Sequence, residues 1–163
     1  MFHRPIKRDL LCGWELFPDV AAEIEPLLLR QQAEVGEGYE PYDPDWGRYA
    51  ELNRTGSLQV WAARAVNRQI VGYVVWLILR GLHNKATRFA TADLVYLAPE
   101  WRAGMVGYWF LEDAIAAVTV KHRPALIRIE TNDTYQRGRL GLVLSRMKFR
   151  RIGSVYQKEA SCV

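Results

Sequence analysis

Apolar residues recur along this chain with two periods, and the changes from one period to the other divide it into helices and strands. Residues 2–11 read either as an edge strand or as irregular structure. A helix begins near Pro18 and Asp19, where proline suits the first turn and an acid suits the positive end of the helix dipole. Val20, Ile24, Leu27 and Leu28 then share one face, and Pro26 is expected to kink or split the helix because it removes a ladder donor. The stretch 36–45, Gly-Glu-Gly-Tyr-Glu-Pro-Tyr-Asp-Pro-Asp, is too rich in turn formers to be anything but a loop. Trp46, Tyr49, Ala50 and Leu52 make a short second helix that Gly56 ends.

Two apolar runs, 58–65 and 70–79, flank the polar turn Val66-Asn67-Arg68-Gln69 and predict a β-hairpin. A strand over 88–98 extends it into an antiparallel meander. Phe110, Leu111, Ala114, Ile115, Ala117 and Val118 return to helical spacing, and that helix ends near His122-Arg123-Pro124. The next apolar run, 125–131, lies parallel to the strand before the helix if the crossover is right-handed. Asn132-Asp133-Thr134 offers N-cap chemistry for a last helix carrying Leu140, Val143, Leu144 and Met147, and 149–158 closes the chain as one or two strands. The expected fold class is α+β (α/β/α), a mixed sheet with an antiparallel meander followed by a parallel β-α-β unit and helices on both faces. A chain of 163 residues accommodates one such domain, 1–163.

Composition removes several function classes. Half of the residues are hydrophobic, yet the longest apolar run, 70–79, is far short of the roughly 20 residues a membrane helix needs. No apolar segment follows Met1-Phe2-His3-Arg4-Pro5, so no secretory signal is expected and the protein reads as cytoplasmic. Cys12 and Cys162 sit at opposite ends, and His3, His83 and His122 have no ligand spacing, which argues against a metal site. The net charge of +4 is unevenly spread: Lys and Arg crowd 121–151, while Glu34, Glu37, Glu40, Asp43 and Asp45 make the early loop acidic. A solvated surface accounts for both. A cationic side for phosphates and an anionic side for an amine is the sharper alternative.

The chemistry concentrates in 91–111, an apolar strand, a glycine-bearing turn and a helix start. Such a turn aims unpaired backbone N–H groups outward at the positive end of a helix dipole, where a phosphate or diphosphate binds readily. Arg102 adds a cation at the mouth of the turn. Pro99-Glu100-Trp101-Arg102 followed by Gly107 resembles the acyl-CoA-binding motif of the GNAT N-acetyltransferase superfamily, with Met105 at the motif's inner glycine and Gly104 one residue early. Met147-Lys148-Phe149 through Gly153 resembles the family's Leu-Gly-Phe-x-x-x-Gly ending, with Lys148 in place of glycine. The hairpin, the connecting loop 82–87, Asp93 and Pro99-Glu100-Trp101-Arg102 together look most like the phage and prophage GNAT proteins.

This resemblance implies a GNAT-like fold, acetyl-CoA as co-substrate, no metal, and transfer of an acetyl group to an amine of a small molecule or a protein by direct attack in a ternary complex. It implies that the coenzyme lies against Tyr96, Leu97, Arg102, Ala103, Gly104, Met105, Val106 and Gly107, its pantetheine arm entering between two parallel strands that part. Asn132 either bonds that arm or caps the following helix. Tyr39, Tyr42 and Trp46 are the candidate acceptor contacts. An oxyanion donor would be the backbone N–H of Leu97 or a neighbour. Asp93, an acid interrupting an apolar strand, is the first candidate base, and His83, with an intrinsic pKa of about 6.5, the second. The tyrosine that many family members place on the last helix as the thiolate's acid is Leu144 here, so Tyr135, Tyr156 or a water would replace it. Two further readings stay open: a coenzyme-binding interaction protein without catalysis, and a protein directed at an RNA-linked amine by its basic C-terminal third. Six tryptophans leave room for an apolar interface between two copies.

Overall fold

The computed structural model describes residues 4–6, 10–35, 42–131 and 139–152. In chain order the elements are β1 (Arg4–Ile6), β2 (Leu10–Glu15), α1 (Phe17–Val35), α2 (Trp46–Arg54), β3 (Leu58–Ala65), β4 (Ile70–Arg80), β5 (Arg88–Leu97), a 3₁₀ turn (Pro99–Trp101), α3 (Val106–His122), β6 (Leu126–Ile129) and α4 (Arg139–Arg146). The strands form one sheet in the order β1-β2-β3-β4-β5-β6, antiparallel throughout except for the parallel pair β5–β6. This is the expected α+β fold.

The apolar run of β4 lacks alternation because both of its faces are covered. Val71, Val74 and Trp76 pack with Phe110, Ala114 and Val118 of α3 on one side, while Ile70, Tyr73 and Val75 pack with Phe17, Val20, Ile24 and Leu27 of α1 on the other. Each large side chain buried this way contributes roughly 1.5–3 kcal/mol. The middle strands therefore lie between two helical layers, with β5 paired to β4 as far as Leu97 and to β6 only as far as Ala92.

The open choice for the first residues is decided for the edge strand: β1 lies at the edge of the sheet, antiparallel to β2, which reaches Glu15 and pairs along its length with β3. Two expectations are corrected. Pro26 does not split α1, which runs continuously from Phe17 to Val35. The buried face is carried by Val20, Ile24 and Leu27, and Pro26 is exposed, so its missing bond and its ring fall on the solvent side. Residues 149–152 are not strand, and the remainder of the expected closing strands lies outside the described residues.

One close approach holds β5 to β4 at its far end. A Cβ on Gly72 would meet Leu97 Cδ1 at 2.7 Å and the Tyr96 carbonyl oxygen at 2.9 Å. Gly72→Ala must therefore push the two strands apart, a strain of about 1–3 kcal/mol. It should lower the urea midpoint of unfolding, and an unchanged midpoint would show that the strands are not this tightly apposed.

Candidate functional site

Asp93 is the residue that the β4–β5 ladder skips. Val75 pairs with Leu94 and Trp76 with Ala92, so β5 carries one extra residue here, a β-bulge. The slip changes which side chains face which layer. Ala90 and Ala92 pack on the α3 side, whereas Leu94 and Tyr96 pack on the α1 side and Val95 and Leu97 take over the α3 side. An unbroken period of two would have kept 90, 92, 94 and 96 on one face.

The parallel pairing of β5 with β6 reaches Ala92–Ile129 and stops there, while β5 runs on to Leu97. β6 ends at that pair, so beyond it β5 has no parallel partner among the described residues, and the bulge follows immediately. The backbone direction beyond it follows from the ladder: Ala98 N–H donates to the Val71 oxygen at 2.8 Å, and antiparallel residues alternate between facing their partner strand and facing away. Tyr96 therefore turns its backbone groups to β4, and Val95 and Leu97 turn theirs into the gap. Two side-chain bonds agree with this assignment. Gln31 Nε2 reaches the Val95 oxygen at 3.5 Å, and Arg102 Nε donates to the Leu97 oxygen at 2.5 Å. Among the described residues, the N–H groups of Val95 and Leu97 meet no acceptor.

The turn into α3 lies at the end of this gap. Its left-handed backbone falls on Gly104, at φ 61°, so glycine occupies the position that needs it. Met105, at φ −101°, has an ordinary conformation with its side chain 42% exposed. No side chain caps α3, and among the described residues the N–H groups of Gly104, Met105, Gly107 and Tyr108 meet no backbone acceptor. Among the described residues, a Cβ on Gly107 would find only Leu97 Cδ2, at 4.0 Å. The chemistry of these donors fits a diphosphate.

Arg102 is not aimed at the mouth of that turn. Its guanidinium folds back onto the Leu97 oxygen and onto Glu34 Oε2 at 2.8 Å, while the Tyr96 hydroxyl donates to Glu34 Oε1 at 2.9 Å. One turn earlier on α1, Arg30 makes a two-bond pair with Glu100 at 2.9 and 3.2 Å. Glu34, assigned by sequence to an acidic loop, is helical and holds the turn in place. Burial, followed by the bond to Glu34 and its charge, pushes the Tyr96 phenol up to about 12.

On the other side of the bulge, Asp93 lies beside Tyr49 of α2 and Glu130 at the end of β6. Its carboxyl is open to solvent on one side, yet crowding by protein and then the Glu130 charge hold its pKa above the ordinary carboxylate value. The Tyr49 phenol is raised by burial, then by Asp93 and Tyr42, and that of Tyr42 by burial and then Glu25. Trp46 stacks on Phe17 at 5.7 Å and meets Tyr49 edge-on at 5.7 Å, which makes its indole part of the α1-side packing. Tyr49 escaped the sequence reading as a site residue because its spacing from Trp46 reads as ordinary helix packing. His83 is exposed on the loop before β5, about 16 Å of strand from Asp93, and the structure does not bring the two together. Tyr39, Asn132 and Tyr135 lie outside the described residues. Among the described residues, no three metal-ligating side chains converge, and no helix is long and apolar enough to cross a membrane.

No family model and no curated protein matches the sequence. Solved structures match the fold over nearly the whole chain. A ribosomal-protein-alanine N-acetyltransferase from Brucella melitensis biovar Abortus 2308 superposes with a TM-score of 0.68 at 17% identity, covering 93% of this chain and 99% of that one. An aminoglycoside acetyltransferase, HMB0005, from an uncultured soil metagenomic sample gives 0.72 at 16% identity, covering 94% and 100%. A protein described as a predicted acetyltransferase from Clostridium acetobutylicum, solved with acetyl-CoA, gives 0.65 at 15% identity, covering 92% and 96%. The chain has the GNAT-like fold that its sequence resembles, the fold of these acetyltransferases.

The Tyr96–Glu34 pair makes stability fall at alkaline pH. A phenol raised in the folded state contributes stability that is whole below its unfolded pKa of 10.0 and is lost as pH rises toward about 12. Spectrophotometric titration should place Tyr96 among the last tyrosines to ionise, and Glu34→Gln should lower its pKa. An unchanged titration curve in Glu34→Gln would show that the pair does not exist in solution.

Proposed function

We propose that the protein is a cytoplasmic acetyl-CoA-dependent N-acetyltransferase acting on an amine. What carries this reading is the parting of β5 and β6 at the Asp93 bulge, which leaves the Val95 and Leu97 N–H groups facing a gap that leads to the open donors of the α3 turn. The coenzyme supplies an acetyl group already activated as a thioester. The turn 103–107 binds its diphosphate through backbone N–H groups, with Arg102 positioning that turn through Glu34 rather than touching phosphate. The N–H of Val95 or Leu97 holds the negative charge that develops on the carbonyl oxygen when the amine attacks. Asp93, whose raised pKa makes it a better base than an ordinary carboxylate, takes the proton the amine loses, directly or through a water. The departing sulfur takes a proton in turn, for which Tyr135 is the candidate that the sequence offers. Between the two candidate bases, placement at the bulge favours Asp93 over His83. Tyr42 and Tyr49 would border the acceptor amine. The narrower resemblance to phage proteins rests on sequence alone.

One observation favours a second reading, coenzyme binding without turnover. Leu144, at the position of the family's tyrosine, is 7% exposed and packed in the interior, so it offers the thiolate nothing. Release of free thiol from acetyl-CoA with a panel of amines separates the two.

Gly107→Leu should reduce coenzyme A affinity by at least tenfold in calorimetry while leaving the unfolding free energy within about 1 kcal/mol of wild type, because among the described residues only Leu97 borders the new side chain. Asp93→Asn should leave coenzyme affinity intact, cut kcat on the order of 10²-fold and remove the acidic limb of the pH profile, which lies above the ordinary carboxylate range. Undiminished turnover in Asp93→Asn would remove it as the base. Failure of the folded wild-type protein to bind coenzyme A would remove the proposal as a whole.

A further inference from the structure

One end of the sheet is both basic and apolar. β4 ends at Arg80, β5 begins at Arg88 directly opposite it, and the Ala125 N–H, just before β6, donates to the Arg88 oxygen at 2.9 Å. Arg88 Nη1 donates to the His122 oxygen at 3.1 Å, which brings the end of α3 to the same place. Arg80, Lys85, Arg88, Arg123 and Arg128 are thereby gathered around the loop 81–87, and all five are exposed. The sequence holds no acid over 52–92 or 114–129, and Glu15 and Glu51 on the adjoining elements are bound to Arg64 and Arg48. Among the described residues, none of the five cations belongs to a salt bridge. Two of these choices cost the fold something. Like charges directly opposite one another, as Arg80 and Arg88 are, destabilise a strand pair. Arg123 closes α3 in the left-handed region at φ 46°, which glycine would adopt without strain.

The same end displays apolar side chains on the sheet face that carries α1. Leu79 pairs with Phe89 and Phe89 with Leu126, a row across three strands. Ile78, Ala90 and Ile127 pack on the α3 side, so the row points the other way, where the α1-side packing on β4 stops at Leu77. Leu79 is 47% exposed and Leu126 53%, and Leu82, on the loop beyond them, is 98% exposed. Arg128 lies over the Phe89 ring at 4.8 Å, its charge beside the row. A leucine that protrudes from a loop acts as a wedge rather than as the wall of a pocket. Cations set around exposed aliphatic side chains match a surface that is anionic outside and apolar beneath, which is the order of layers in an anionic bilayer. A nucleic acid offers the charge, but its bases call for open aromatic faces, and Phe89 is half-buried under Arg128.

We propose that this end of the sheet docks on an anionic membrane surface, with Leu79, Leu82 and Leu126 entering the headgroup layer and the five cations holding lipid phosphates. The chain lies on the bilayer without spanning it, and the inference does not rest on the acetyltransferase reading.

The test is cosedimentation of the full chain with vesicles of phosphatidylcholine alone and of phosphatidylcholine mixed with phosphatidylglycerol. The wild-type protein should bind only the anionic vesicles, and less as salt rises. Arg80→Glu and Lys85→Glu should each lower the partition coefficient on the order of tenfold. Leu82→Ser should lower it roughly 3- to 10-fold with no change of charge. Arg68→Glu, an equal change of charge on the β3–β4 turn at the opposite end of the sheet, should leave it within about twofold. Arg80→Glu should keep or raise the melting temperature, because an acid opposite Arg88 replaces a like-charge pair, so its loss of binding is not a loss of fold. Equal binding to both kinds of vesicle, binding to neither, full binding by Leu82→Ser, or a loss in Arg68→Glu as large as in Lys85→Glu would overturn the proposal. Binding of single-stranded RNA without binding of vesicles would assign the surface to nucleic acid and overturn it as well.

Discussion

One inserted residue governs the functional half of this molecule. A strand sandwiched between two helical layers must present apolar side chains alternately to each, and β5 does so in one phase up to Ala92 and in the opposite phase from Leu94 onward. Asp93 absorbs the difference. The slip follows the last β5–β6 pair directly, and beyond it Val95 and Leu97 have no parallel partner among the described residues, while Asp93 itself is exposed. A bulge raises local twist and redirects the strand, so the register change and the end of the β5–β6 pairing fall at the same place among the described residues.

The gap would be worth little if its far wall could drift. The last turns of α1 prevent this: Arg30, Gln31 and Glu34 reach the 3₁₀ turn, β5 and Arg102 respectively, and Gln31 also accepts from the Tyr73 hydroxyl at 2.6 Å. The Arg30–Glu100 pair is exposed on both sides and contributes little by itself. The Glu34–Arg102 pair is three-quarters shielded, and its guanidinium also bonds a main-chain oxygen, so it fixes geometry more firmly. A cation that sequence places beside a phosphate is instead a strut.

Most of the architecture was legible because the strands are apolar enough to need two covered faces and the helices keep their period. The glycine turn was legible as well: Gly104 stands one residue away from the family pattern, and the left-handed backbone stands with it. What escaped was relational. Asp93 was visible as an acid in an apolar strand, but the skipped register depends on β4. Arg102 turns inward because of Glu34, a residue 68 positions away. Tyr49 is tied to the site only through the fold, which brings its phenol within electrostatic reach of Asp93. Pro26 was overread, since its cost depends on which side of the helix it occupies. Tyr39, Asn132 and Tyr135 lie in segments outside the described residues.

The two open strand residues carry a further implication. Their oxygens are answered by Gln31 and by Arg102, while among the described residues their hydrogens are not. The gap is thus a polarised edge that gives hydrogen bonds more readily than it accepts them. A guest that pairs there is sorted by the spacing of its own carbonyl oxygens, and since Val95 and Leu97 lie two residues apart, those oxygens must match the roughly 7 Å repeat of a strand.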